Sequence, residues 1–209
     1  MKIAMRTINL VVKRLLDLIG SGLGLVLVSP ILLISALLIK ITMPGPIVFR
    51  QERIGKDNRL FYILKFRTMK VDKEAESNHD ISKDQERKTV MGNFLRRTKI
   101  DELPQLINVL KGDMSLVGPR PTFAEQAAAY TTFQKQRLRM RPGMTGLAQV
   151  NGNTAISWED RIKYDVKYVR DFNVLLDIEI LFKTIQVVIG GEEKFAKTMD
   201  NKVYGGMEK

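Results

Sequence analysis

Asp101 and Glu102 stand side by side in "RRTKIDELPQLINVLKGDMSLVGPRP", residues 96–121, behind Arg96, Arg97 and Lys99. Adjacent carboxylates repel each other, and cations or a metal must offset that repulsion. The preceding basic residues supply part of the offset. The stretch closes on Arg120 between Pro119 and Pro121, a guanidinium on a stiffened backbone, suited to bidentate capture of phosphate oxygens. A carboxylate nucleophile, a second carboxylate for Mg²⁺ and arginine clamps are the parts needed for phosphoryl transfer. The chain has no cysteine and a single histidine, His79, set in a charged stretch. Thiolate metal sites, disulfide frameworks, histidine-based metal clusters and Ser–His triads are thereby excluded. Acid–base or covalent chemistry has to come from carboxylates.

A plainer reading of the same pair also stands. Pro104 is acceptable only in the first turn of a helix, which places Asp101 at or near the N-cap of a helix running to Leu110. A carboxylate there meets free backbone N–H groups and the positive end of the helix dipole, and both favour its ionised form. On this reading Asp101 is a cap and Glu102 a first-turn acid. Leu103, Leu106, Ile107 and Leu110, at i, i+3, i+4, i+7, predict the buried face of that helix, and Gly112 its C-cap.

The elements around this stretch are mixed. "PGPIVFRQERIGKDNRLFYILKFRTMK" predicts a β-hairpin turning at "GKDN". In its second strand Leu60, Tyr62, Leu64 and Phe66 alternate with Phe61, Ile63, Lys65 and Arg67, so one face is apolar throughout and the other ends in two cations. Those cations are either solvated strand-end charges or partners for an anion. Residues 71–90 form a mixed-charge connector. "TFAEQAAAYTTFQKQRLRM" reads as helical, and "RPGMTGLAQVNG" as turn, short strand, turn. "WEDRIKYDVKYVRDFNVLLDIEILFKTIQVVIG" holds one or two amphipathic helices, whose apolar end packs in the core or lies on a bilayer.

The N-terminus adds a membrane. Leu18 to Ile39 is 22 residues without a charge, more than the roughly 18–20 a membrane helix needs. Pro30 interrupts it, since a proline cannot donate to the carbonyl four residues back. The preceding Ser29 can bond its hydroxyl to a nearby carbonyl and absorb a bend. If the helix breaks there, the halves cover about 22 Å and about 18 Å, neither enough for a hydrocarbon core of about 30 Å. Lysines and arginines flank the segment on both sides, as a re-entrant hairpin with both ends on one face would require; a straight helix would instead span.

With a net charge of +11 over 209 residues and a pI near 9.8, the chain needs an anionic partner: nucleic acid, an acidic membrane or a phosphorylated small molecule. Its basic residues are interleaved with acids, and no nucleic-acid-binding signature occurs, which argues against nucleic acid.

"KRLLDLIGSGLGLVLVSP", "KFRTM", "RRTKIDELPQLINVLKGDMSLVGPRP", "RPGMTGLAQVNG" and "AISWEDRIKYDVKYV", in this order, closely resemble the bacterial sugar transferases, the small monotopic phosphoglycosyl transferases. The resemblance covers about residues 12–189. It implies an α+β fold with a re-entrant membrane anchor over 1–41 broken at Ser29-Pro30 and a cytoplasmic catalytic domain over 42–190 with a short β-hairpin and interfacial helices; the residues of 191–209 themselves read as a polar, flexible tail. It implies transfer of a sugar-1-phosphate from a UDP-sugar to undecaprenyl phosphate, with release of UMP, at the cytoplasmic face of a bacterial inner membrane among its lipids. By resemblance Asp101 is the nucleophile that takes up the phosphosugar and Glu102 a ligand of Mg²⁺. Lys65, Arg96 and Arg120 are expected around the phosphates, with Arg67 and Arg141 as further phosphate-binding candidates. Where many relatives carry an arginine, this chain has Asn153, so a nucleotide or sugar contact there is absent or comes from elsewhere. The "AISW" block is similar to that of members acting on N-acetylated amino sugars. The sugar, the glycan pathway, the oligomeric state and an inactive scaffold role all stay open at this point.

Overall fold

The computed structural model describes residues 2–71 and 84–197. His79, most of the charged connector and the tail from residue 198 lie outside them. Helix α1 (Lys2–Thr42) is followed by the hairpin β1 (Val48–Ile54) and β2 (Leu60–Phe66). Then come α2 (Asp84–Arg87), α3 (Val90–Arg97), α4 (Gln105–Lys111), β3 (Ser115–Val117), α5 (Ala124–Ala128), β4 (Gly143–Thr145), α6 (Trp158–Asp171) and α7 (Val174–Gly190). One sheet is the antiparallel hairpin, the other the parallel pair β3–β4. The fold is α+β.

Helix α1 continues through Pro30, where the sequence places a break. The residue-level device is visible. Pro30 leaves the Val26 carbonyl without its helical N–H, and the Ser29 hydroxyl donates to that carbonyl at 2.8 Å. Residues 13, 17, 21, 35, 39 and 43 are buried against the rest of the protein, at helical spacing along one side. The other faces expose a long run of leucine, isoleucine and valine, Val26, Leu27 and Leu33 being among the most exposed. α1 is long and apolar enough to cross a membrane.

Both ends of α1 are tied to the same body. Near its start, Arg6 donates to the Val169 carbonyl at 2.9 Å, and Arg14 to the Val109 and Leu110 carbonyls at the end of α4. Near its end, Ile39 and Met43 form a cluster with Phe66 and Leu95, each such burial worth about 1.5–3 kcal/mol. Lys13, half-way along the first part, is buried: its ammonium lies 2.6 Å from Asp177 Oδ2 and 2.8 Å from the Val117 carbonyl. Tyr168 donates to Asp177 Oδ1 at 2.7 Å. Asp17 accepts from the Ser115 hydroxyl and the Leu116 N–H, both at 2.9 Å. The polar face of an apolar helix therefore fixes β3.

The buried face of α4 differs from the apolar stripe in its sequence. Leu106, Val109, Gln105 and Asn108 are buried, while Ile107 and Leu110 are exposed. Asn108 is inside because it completes the edge of β2: its amide donates to the Tyr62 carbonyl at 2.8 Å and accepts from the Leu64 N–H at 3.0 Å. A buried strand edge costs more than an exposed leucine. β2 is turned the same way. Phe61 and Ile63 are buried with Val109 and Met114, and Leu60 and Tyr62 are exposed. The face that ends in Lys65 is the inward one.

The β3–β4 pair brings two glycine-containing segments into backbone contact. A Cβ on Gly118 would stand 2.4 Å from the Arg141 carbonyl oxygen and 2.8 Å from the Gly143 nitrogen. One on Gly146 would stand 2.1 Å from the Gly118 oxygen. Backbone atoms cannot yield as a side-chain tip can. Gly118→Ala is therefore expected to push β3 from β4 and displace Arg120 two residues on, lowering the melting temperature by several degrees. Catalytic turnover should fall more steeply, by at least about tenfold; unchanged melting and turnover would show that the contact is slack.

After α7 the chain turns back, further than a loose tail would. Residues 192–195 form a short 3₁₀ turn, the Lys197 N–H donates to the Asn151 carbonyl at 3.0 Å, and Tyr164 donates to the Lys197 carbonyl. α7 itself buries Asp177, Ile180 and Val187 and exposes Leu175, Phe182, Ile185 and Ile189. It packs on the core with one face and leaves an apolar face outside.

Candidate active site

The carboxylate pair does not cap the helix. Asp101 and Glu102 lie on a 3₁₀ turn, Ile100–Glu102, entered through Lys99 in the left-handed region at φ 58°. α4 starts only after Pro104. The turn holds the pair against β2, and Lys65 donates from its ammonium to Glu102 Oε1 at 2.6 Å. That ion pair is three-quarters shielded.

The two acids have opposite electrostatics. Burial pushes Glu102 up, but Lys65, through its charge and hydrogen bond, with Arg120 and Lys99, more than offsets this and holds the carboxyl below the ordinary range. For Asp101, burial and then the neighbouring Glu102 charge push upward, and Lys65, Arg96 and Lys99 only partly compensate. Its carboxyl sits above the ordinary range. The sequence expectation of a dipole-stabilised, readily ionised Asp101 is thus corrected: the helix dipole begins too late, and desolvation dominates. Two carboxyls whose environments push them apart mark different roles. Glu102, held below the ordinary carboxylate range, is the anchor for cations, and Asp101, once ionised, is the more basic of the two.

Lys65, Glu102 and Arg120 share the wall of a small cleft with Gln105 and Arg53. Asp101 adjoins this wall from the preceding position of the turn, 8% exposed. Arg96 stands behind it, its Nε donating to Thr68 Oγ1 at 2.9 Å. α3 can approach Thr68 only because Gly92 has no side chain; a Cβ there would lie 1.8 Å from the Thr68 oxygen. Arg120 is positioned through its backbone: Arg137 donates to its carbonyl at 2.8 Å, and Arg137 is itself held in a buried ion pair with Asp165.

Two predicted phosphate ligands are elsewhere. Arg67 is 3% exposed and donates to the Met43 and Pro44 carbonyls, stapling the end of α1 to β2. Arg141 donates to the Gly112 carbonyl at 2.7 Å and completes the C-terminus of α4. Ser29 and Pro30 lie exposed on α1. Conversely, Arg53 is a cleft residue that the sequence reading passed over. The hairpin register pairs Arg53 with Phe61 and Gln51 with Ile63, so Arg53 shares the inward face. A bridge between Ile54 and Thr122 then draws it beside Arg120. Its guanidinium carbon stacks 3.3 Å over the Phe123 ring. Burial, together with the Arg120 charge and despite Glu125, pushes its pKa down to about 10. It remains charged at neutral pH, and two like charges held together favour an anion between them.

The donor set suits Mg²⁺. Among the described residues no three carboxylate or imidazole side chains converge, and Mg²⁺ is commonly held by one or two carboxylates, with phosphates and water filling the octahedron. Glu102 is ionised, as a ligand must be, and only one of its oxygens is engaged by Lys65. Glu102, with Asp101 beside it, fits.

A second, larger cavity of about 250 Å³ adjoins the first and shares Arg53, Arg120 and Pro121 with it. Asn153 lines it, on a left-handed backbone at φ 44°.

The site therefore sets paired, electrostatically distinct carboxylates at a cationic cleft, in a chain whose first helix is long and apolar enough to cross a membrane. The family model described as bacterial sugar transferase matches residues 8–191, and the chain belongs to that family. It is 44% identical over 186 residues to the UDP-glucose:undecaprenyl-phosphate glucose-1-phosphate transferase of Klebsiella pneumoniae, covering 85% of this chain and 40% of that protein. It is 41% identical over 186 residues to the UDP-N-acetylgalactosamine-undecaprenyl-phosphate N-acetylgalactosaminephosphotransferase of Aeromonas hydrophila, covering 86% and 44%. The uncharacterized sugar transferase EpsL of Bacillus subtilis strain 168 is 40% identical over 183 residues, covering 88% and 90%. The chain thus spans less than half the length of the two relatives with a stated substrate, and nearly all of the third.

Proposed function

We propose that the protein is a phosphoglycosyl transferase that moves a sugar-1-phosphate from a UDP-sugar to undecaprenyl phosphate and releases UMP. The observation that carries this is the Lys65-locked Glu102 beside a less ionised Asp101, in a cleft shared with Arg120 and Arg53. An ionised Asp101 oxygen attacks the β-phosphorus, the bond to the bridging oxygen breaks, and UMP leaves with that oxygen. A phosphate oxygen of the lipid then attacks the same phosphorus and returns the aspartate carboxylate. Lys65, Arg120 and Arg53 take up charge as it develops on the leaving nucleotide. Mg²⁺ held by Glu102 would supply Lewis-acid neutralisation of the diphosphate. A covalent intermediate lets a soluble donor and a lipid acceptor use one site in turn.

α1 is read as dipping into the cytoplasmic leaflet and returning. Fully extended, a helix of this length would run about 60 Å, twice a hydrocarbon core, yet both of its ends contact the body that carries the site. Exposed apolar residues on α7 offer a second membrane-facing surface. The two relatives with stated substrates use different sugars at similar identity, so similarity does not choose the sugar.

Incubating the full-length protein with sugar-labelled UDP-sugars, without lipid, is expected to label Asp101 and release one UMP per site. Adding undecaprenyl phosphate should transfer the label to lipid. Normal turnover with no protein-bound label would replace the covalent route by direct attack of the lipid phosphate. No UMP release from any UDP-sugar would remove the proposed activity.

A further inference from the structure

The second cavity holds polar groups that nothing in the protein satisfies. Gln149, on the 3₁₀ turn Gln149–Asn151, lines it. Both its Oε1 and its Nε2 are shielded from solvent and without a hydrogen-bond partner among the described residues. The same holds for Arg53 Nη1 and Arg161 Nε. Each such atom costs about 1–3 kcal/mol unless something bonds to it, and native structures keep few of them. Trp158 stands on the same wall, its indole 39% exposed. The other aromatic ring there, Phe123, already carries the Arg53 guanidinium.

We infer that this cavity is the uridine subsite, in which the Gln149 amide pairs with the imide edge of uracil beside the Trp158 ring. The inference rests on the UDP-sugar donor proposed above and adds where its nucleoside lies. One edge of an unsatisfied primary amide sets an N–H donor beside a carbonyl acceptor in a plane. Uracil offers the complement, the N3–H and an adjacent carbonyl, in a flat ring that gains from an aromatic neighbour. The cavity's one carboxylate, Asp165, is engaged by Arg137 through Oδ2, and its buried Oδ1, unpartnered among the described residues, is an acceptor for a hydroxyl such as those of the ribose. Continuity supports the assignment: Arg53 and Arg120 line both spaces, so a diphosphate gripped in the cleft leads its nucleoside into the neighbouring one. Arg161 and the outer nitrogen of Arg53 then face the ribose and α-phosphate side.

Trp158 is the chain's single tryptophan, so its fluorescence reports on this cavity alone. UMP titrated into the full-length protein in nanodiscs, with excitation at the red edge where uracil does not absorb, is expected to change that fluorescence saturably. Gln149→Ala should weaken UMP at least about tenfold, the discrimination typical of a hydrogen-bonding site. Ribose 5-phosphate, which lacks the base, should inhibit wild type and variant alike. Gln149→Glu, of the same shape but unable to donate, should weaken UMP as well, which covers the case of an alanine variant that folds poorly. UMP binding unchanged in both variants would overturn the subsite while leaving the activity intact. A fluorescence change with UDP-sugar but not with UMP would give the cavity to the sugar and also overturn it. Wild type that neither binds UMP nor releases it would defeat the donor assignment, and this subsite with it.

Discussion

Asp101→Asn is expected to abolish both lipid-linked product and the labelled protein adduct, with turnover falling on the order of 10⁴-fold or more, as for removal of a covalent nucleophile. Asparagine keeps the shape, so the melting temperature should hold or rise: a buried carboxyl raised above its ordinary range is a group the fold would rather see neutral. The sign follows from linkage. With the folded-state value above the unfolded one, the native protein binds the proton more tightly. Stability contributed by Asp101 is then present at low pH and lost as pH rises through the raised value. Activity runs the other way, because attack requires the carboxylate. The wild-type pH–rate profile should show an acid limb above that of an ordinary aspartate, and Lys65→Met should move it higher still, since Lys65 is the leading cation holding it down. Retained turnover in Asp101→Asn, or an acid limb at or below the usual aspartate range, would remove the nucleophile assignment.

Asp177→Ala is expected to be the most destabilising single change outside the site. Lys13 and Asp177 have side chains 7% and 8% exposed and stand 2.6 Å apart. Removing the acid leaves an ammonium buried against one carbonyl, a change that costs about 3–5 kcal/mol. For a chain of this size that is a fall of roughly 10 °C in melting temperature. The double replacement Lys13→Met, Asp177→Leu should recover most of it, because two apolar side chains need no partner. It should not recover activity fully. Lys13 and Tyr168 both approach the Val117 carbonyl, one residue before the Gly118–Arg120 turn, so the pair also positions Arg120. Thermal unfolding in nanodiscs and UMP release, measured on the same three variants, separate these two roles; equal melting of all three would make the ion pair incidental.

The sequence by itself determined the chemical inventory and the local elements. Adjacent Asp101 and Glu102 with Lys65, Arg96 and Arg120 are the inventory from which the proposed phosphoryl chemistry is built, without cysteine and with no histidine beyond His79. Alternation and "GKDN" define the hairpin, Gly112 closes α4 as a left-handed cap, and an uncharged run of membrane length defines α1. These are properties of neighbouring residues. What only tertiary structure decided depends on groups distant in the chain meeting. Asn108 turned α4 because an open edge of β2 needed its amide. Arg67 and Arg141 do not line the Lys65–Glu102 cleft and instead donate to the carbonyls of Met43, Pro44 and Gly112. Arg53 entered the cleft because a bridge to Thr122 closed the hairpin against the Arg120 turn. Asp101 lost the helix dipole because Lys99 inserts a left-handed residue and a 3₁₀ turn before Pro104. The turn of Asn108 and the placing of Arg67 and Arg141 were set by satisfying backbone groups, and a linear pattern of apolar and charged residues does not encode which partners those will be.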